Sequence, residues 1–142
     1  MITTTGEYAL RAAVFLAQHA DKPQTSAEIA RGTRVPQSYL SKILQLMVRG
    51  LVISSQRGLH GGFVLARPAA EVSVLEVLRA VDSAPVRINQ CPLGLAGHTC
   101  LCPLHRLLDE AMAAAEEAFA GANLEALSRS VDGVRPLCEG AG

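Results

Sequence analysis

The chain has little that is aromatic: no tryptophan, two tyrosines and three phenylalanines in 142 residues. Its interior must therefore be built from aliphatic side chains, and the prominence of alanine and leucine favours helices over sheets. It has no run of about twenty uncharged apolar residues, so no membrane-spanning helix is expected. The apolar stretch nearest the N-terminus, Ala9 to Ala17, is interrupted by Arg11 and preceded by Glu7, which makes a poor secretory signal and leaves the cytoplasm as the expected location. Only 18% of residues are charged, yet 49% are hydrophobic, a balance that excludes a disordered chain. No internal repeat, nucleophile–base motif or cofactor fingerprint occurs. The glycines near residue 60 lack the Gly-Lys-Ser/Thr of a nucleotide-hydrolase loop, so an enzyme is not expected.

What is present is sharply divided. Residues 1–67 carry eight Lys or Arg against three Asp or Glu, and residues 68–142 carry five against ten. A basic half joined to an acidic half points to a polyanion as partner of the first. The length suits one ordinary domain.

The basic half reads as a winged helix-turn-helix. A first helix is expected over about Gly6 to His19, with Tyr8, Ala9, Ala12, Ala13, Phe15 and Leu16 inward. After the turn "DKPQ", Thr25 or Ser26 caps a short helix and Glu28 completes a capping box, with Gly32 expected to end it. Pro36 opens a second helix that runs to about Arg49 and stops at Gly50, burying Tyr39, Leu40, Ile43, Leu44, Met47 and Val48. In such a pair the second helix enters the major groove N-terminus first, which aims Gln37, Ser38, Ser41 and Lys42 at base edges and phosphates. Ser26 and Tyr39 complete the DNA-facing set. Next, "LVISSQRGLHGGFVLARP" reads as a β-hairpin with a glycine-rich tip, the wing, whose Arg57, His60 and Gly61 suit a minor groove or phosphate. "VSVLEVLRAVD" is a further amphipathic helix with Val74, Val77, Leu78 and Val81 inward.

In the acidic half, Leu104, Leu107, Leu108, Ala111, Met112, Ala115 and Phe119 form one apolar stripe along a long helix. Little chain remains to cover it, so a second copy is the expected cover, with docking onto the chain's own winged helix as the other option. Asn123 is expected to cap a last short helix. The fold class is thus mainly α: a winged helix-turn-helix with a small hairpin wing over 1–84, a cysteine-rich loop over 85–103, and a dimerisation helix with a short C-terminal helix and tail over 104–142.

"GEYALRA", "QSYLSKILQLMVRGLVISSQRGLHGGFVLARP" and "VSVLEVLRAVD" together resemble the Rrf-two (BadM/IscR/NsrR) family of bacterial winged-helix regulators, closely over residues 1–83 and loosely beyond. The resemblance implies a homodimeric transcription factor on double-stranded, palindromic operator DNA. Several members carry an iron–sulfur cluster in the loop before the dimer helix and sense iron–sulfur status, nitric oxide or redox state. Cys91 and Cys102 fall where the first and last of three cysteine ligands would lie, and Glu7 near the carboxylate some relatives take from the partner subunit. The eight residues between Cys91 and Cys100, and the single one between Cys100 and Cys102, depart from the family's usual spacing.

The segment "CPLGLAGHTCLCPLH" holds three of the four cysteines and two of the four histidines. Cys91, Cys100 and Cys102 can supply three thiolates to an iron–sulfur cluster (2Fe-2S rather than 4Fe-4S), with His98, His105 or the partner's Glu7 as fourth ligand. Zinc, a thiol switch, an unused loop and a metal-free regulator that binds a small organic effector stay open as other readings. Cys138, four residues from the C-terminus, has no nearby partner in sequence and is read as unused.

Overall fold

The computed structural model describes residues 2–94, 100–129 and 133–137. Among them the chain forms α1 (Thr4–Gln18), α2 (Ser26–Thr33), α3 (Gln37–Arg49), β1 (Ile53–Gln56), β2 (Gly62–Leu65), α4 (Val74–Ala80), α5 (Pro103–Ala120) and α6 (Leu124–Ser128), with one 3-10 turn at Ala69–Glu71. The expected class, mainly helical with a hairpin wing, is the observed one.

Four helices begin where a side chain takes over unpaired backbone N–H groups of the first turn, while α3 and α5 start at Pro36 and Cys102 without a side-chain cap. Thr3 Oγ1 accepts from Gly6 N at 3.1 Å, so α1 starts two residues earlier than its apolar pattern suggests. Thr25 and Glu28 exchange hydrogen bonds in the anticipated capping box (3.2 and 3.0 Å). Ser73 and Glu76 form a second box on α4. Asn123 Oδ1 caps α6 through Ala126 N at 2.8 Å, as its position implied. The Ser73 N–H bond, the largest influence, holds the Glu76 carboxyl below its ordinary pKa, with Arg67 adding to the effect.

Three expectations need correction. Gly32 does not end α2: the helix runs past it to Thr33, and Arg34 makes the left-handed exit (φ 59°). Gly32 is instead a packing glycine, because a Cβ there would lie 2.0 Å from Cε2 of Phe15. Tyr39 does not join the buried face of α3 and is 45% exposed. Its ring meets Tyr8 edge-on, centroids 5.5 Å apart, and its hydroxyl bonds Thr5 Oγ1 at 3.0 Å at the rim of the domain. Val48 is likewise only half-buried.

The core is aliphatic, as the scarcity of aromatics requires. Leu16, Ile29, Leu40, Ile43, Leu44, Met47, Val52, Ile53, Val72 and Val77 are buried in it. It also contains Leu124 of α6, which the linear reading did not connect to the winged helix. Backbone bonds Val74 N→Ala122 O (2.9 Å) and Leu124 N→Val72 O (3.0 Å) bring the chain back after α5. Burying one such leucine contributes about 1.5–3 kcal/mol, enough to hold the returning segment. The wing is a single antiparallel pair in the register Ile53↔Leu65 to Gln56↔Gly62. A bridge from Phe63 to Gln24, with bonds of 2.8 and 3.0 Å, ties it to the α1–α2 turn.

Candidate nucleic-acid interface and cysteine segment

The α2–α3 turn is set by side-chain to backbone bonds. Thr33 Oγ1 donates to Ile29 O at 2.6 Å and accepts from Val35 N, and Arg11 Nη1 donates to Thr33 O at 3.2 Å. Arg11 also pairs Glu7 (2.8 Å) and lies over the Tyr8 ring at 5.3 Å. It is therefore a brace between α1 and the turn, a role that linear reading missed. The available signal was the Glu7–Arg11 spacing of four on a helix.

With the turn fixed, α3 presents Gln37, Ser38, Ser41 and Lys42 on its exposed first turns, while Leu40, Ile43 and Leu44 point inward. Ser41 Oγ donates to the Gln37 backbone carbonyl at 3.2 Å. Ser26 is half-buried at the first position of α2. On the wing Arg57 and His60 are exposed and Gly61 is half-buried in the loop. Lys22, Thr25, His60 and Gly61 line a cleft between the wing tip and the start of α2, so the structure brings wing and helix-turn-helix side by side.

Between α4 and α5 the chain is docked by one carboxylate. Asp109 Oδ1 and Oδ2 accept from Arg87 Nε and Nη2 at 2.8 and 2.9 Å, and Oδ1 also accepts from Ile88 N at 2.9 Å. The Arg87 bond, followed by the Ile88 N–H, lowers the Asp109 pKa to about 2. The same pair raises that of Arg87.

Cys102 is the N-cap of α5 and Pro103 its first residue, so the helix starts where the segment "CPLH" ends its turn. Cys102 Sγ lies 3.0 Å from Nδ1 of His105, which brings these two candidates together. Cys91 is half-buried and Cys100 exposed. Glu7 lies on α1, engaged by Arg11. His98 and Cys138 lie outside the described residues. Among the described residues, no three His, Cys, Asp or Glu side chains gather in one metal-sized group. α5 itself buries no residue, and Leu104, Leu107 and Leu108 remain exposed on it. No helix among the described residues is long and apolar enough to cross a membrane.

The family model Rrf2, described as an iron-dependent transcriptional regulator, matches residues 2–130. A helix-turn-helix regulator of Rhodobacter capsulatus, described as Rrf2-like, is 34% identical over 124 residues, covering 84% of this chain and 79% of that one. The IscR regulator of Photorhabdus laumondii is 33% identical over 84 residues, covering 58% of this chain and 51% of its own. Against several curated relatives the chain spans little more than half of their length. Among solved structures, CymR of Bacillus subtilis, named the global cysteine regulator, superposes with a TM-score of 0.73 at 24% identity, over 89% of this chain and 95% of that one. At that identity it shows the shared fold.

Proposed function

The chain belongs to the Rrf2 family of transcriptional regulators, not to a family of enzymes, and from that premise we propose that it works as a homodimer on a palindromic operator, its DNA affinity set by the chemistry of the cysteine segment. The observation that carries the DNA reading is the polar first-turn face of α3 above a fully apolar inner face, beside a wing with exposed Arg57 and His60. Gln37 and the serines suit base edges, and Lys42 and Arg57 suit phosphates. The excess of basic residues in the first half supplies the salt-dependent attraction. The exposed leucines at the start of the α5 stripe, Leu104, Leu107 and Leu108, support pairing of two copies, and pairing sets two α3 helices on one duplex.

For the sensor, the donors fit a thiolate-held iron–sulfur group in kind. Cys102 already stands beside His105, and Cys91 and Cys100 belong to the same segment. Cys91, Cys100 and Cys102 would hold the group, with His105, His98 or the partner's Glu7 as the fourth donor. When bound, it supplies one-electron redox chemistry and sensitivity to oxidants and nitric oxide. The protein's own part is mechanical. Cys102 is the first residue before α5, so a change in its bonding acts directly on the start of that helix, and through the Asp109–Arg87 pair on the linker to the winged helix. A metal-free thiol switch is the second reading, favoured by the exposure of Cys100 two residues from Cys102.

Anaerobic purification with absorption spectra and iron, sulfide and zinc assays tests the sensor. Colourless, iron-free protein after reconstitution would remove the cluster and leave the thiol or zinc readings. For the DNA reading, Lys42→Ala and Arg57→Ala are expected to weaken duplex binding and lower its salt dependence by about one counterion each, with the dimer intact. Unchanged affinity in both variants would overturn the docking.

A further inference from the structure

Leu59 is 94% exposed, more than any other large apolar side chain among the described residues. One exposed leucine is ordinary by itself. This one stands at the tip of the wing, in the loop from Arg57 to Gly61, and the loop has little freedom to hide it. Gly61 N donates to Gly58 O at 3.0 Å, closing the tip as a tight turn, and Gly58 leads into it at φ 113°, a conformation that favours glycine. A Cβ on Gly61 would come within 2.4 Å of Gln56 O, so the loop doubles back as closely as its backbone permits. Below the tip, Gly62 (φ 151°) lies against the Gln24 backbone, and the two Gln24–Phe63 bonds hold the hairpin to the domain. The tip is thus a fixed projection with a leucine at its end.

The surroundings say what it projects toward. Arg57 and His60 flank Leu59 and are exposed, and the cleft that Leu59 itself lines also holds Lys22 and Glu28, whose carboxylate is engaged by the Thr25 N–H. An apolar tip beside Arg57 and Lys22 is matched to a polyanion that has an apolar interior, not to the apolar face of another protein. Stacked bases behind two rows of phosphates are such a target. We propose that Leu59 is an apolar wedge that enters the minor groove, pushes into one base step and bends the duplex, while Arg57 and His60 hold the flanking sugar–phosphate walls. The mechanism needs a side chain without hydrogen-bonding demands at the point of deepest entry, since a polar one would remain solvated at the groove floor. Partial unstacking is least costly at flexible pyrimidine–purine steps, so the wedge also reads sequence without a base-specific hydrogen bond.

This inference rests on the DNA-binding reading above, and its test separates the two. The probe is the duplex recovered by the wild-type full-length protein from a random-sequence pool, with bending followed by circular-permutation gel mobility and affinity by titration over several salt concentrations. Leu59→Ser and Leu59→Ala are expected to lose most of the bend and about tenfold in affinity, with the salt slope unchanged. Leu59→Met is expected to restore both, and the pools selected by the Ser variant should lose the preference for a pyrimidine–purine step beneath the wing. Arg57→Ala, by contrast, should lower the salt slope. The exposed loop position makes unfolding of these variants avoidable, and circular dichroism checks it. If Leu59→Ser bends the duplex as the wild type does, with the same step preference, the wedge is overturned while the DNA reading stands. If the wild-type protein recovers no duplex at all, both fall together.

Discussion

Gly32 and Phe15 share a space that admits no methyl group, since an alanine Cβ would meet Phe15 Cε2 at 2.0 Å and Cδ2 at 2.7 Å. Phe15 is itself in the core and stacked on His19, ring centroids 4.2 Å apart, so its ring has little room to move. Gly32→Ala is therefore expected to destabilise the domain by about 1–3 kcal/mol, read as a lowered midpoint in urea unfolding. A midpoint equal to that of the wild type would show that α1 and α2 separate more easily than their packing implies. In sequence this glycine resembles a helix stop, because linear reading sees only its lack of a side chain. That the missing side chain serves a ring seventeen positions away is information about pairs of residues. Tyr39 taught the same lesson in reverse. Its spacing fits the buried face of α3, yet Thr5 and Tyr8 draw it to the rim. Leu51, just past α3, keeps a left-handed φ of 62° without being glycine, and its sequence gives no hint of it.

At the scale of elements, local rules sufficed wherever the cause was local. The Thr25–Glu28 box, Pro36 at the start of α3 and the Asn123 cap each lie within a few residues of what they control, and all are legible in sequence. The Asp109–Arg87 clamp is not, because its partners are 22 positions apart on opposite sides of the cysteine segment. It has a pH signature. The folded-state pKa of Asp109 is lowered to about 2, against about 3.9 for an unperturbed aspartate. Its contribution is therefore fully present above about pH 4 and is lost as the pH falls through about 2. The Ile88 amide resonance should titrate across that window, and Asp109→Asn should abolish the titration and speed exchange of the Ile88 amide at neutral pH. An Ile88 resonance that stays fixed from pH 5 to about 2 would show that the clamp does not form in solution.

For the whole molecule, the decisive element is α5, with 18 residues and none buried. Leu107 is 63% exposed on it, in line with Leu104 and Leu108. If a second copy covers this stripe, Leu107→Glu places a charge against apolar surface on both sides of a two-fold interface and should convert a dimer to a monomer in sedimentation. Operator affinity should fall with it, since two half-sites are no longer bound by one particle. A wild-type protein that sediments as a monomer at micromolar concentration would instead mean that α5 has another cover. The charge division between the two halves also belongs to this scale: the basic part carries α3 and the wing, and the acidic part carries α5.

By itself, the sequence determined the class of fold, the order of its elements, the starts of α2, α3 and α6 and the polar face of α3, because periodicity, caps and turns act over a few residues and leave their marks there. It also marked the cysteine segment as chemically unusual. Only the tertiary structure decided that Leu124 returns to complete the winged-helix core, that Arg11 braces the α2–α3 turn, and that Leu59 is held out at the tip of the wing. These are relations between residues distant along the chain or fixed by backbone angles, set by the packing of the whole fold and not by any local pattern.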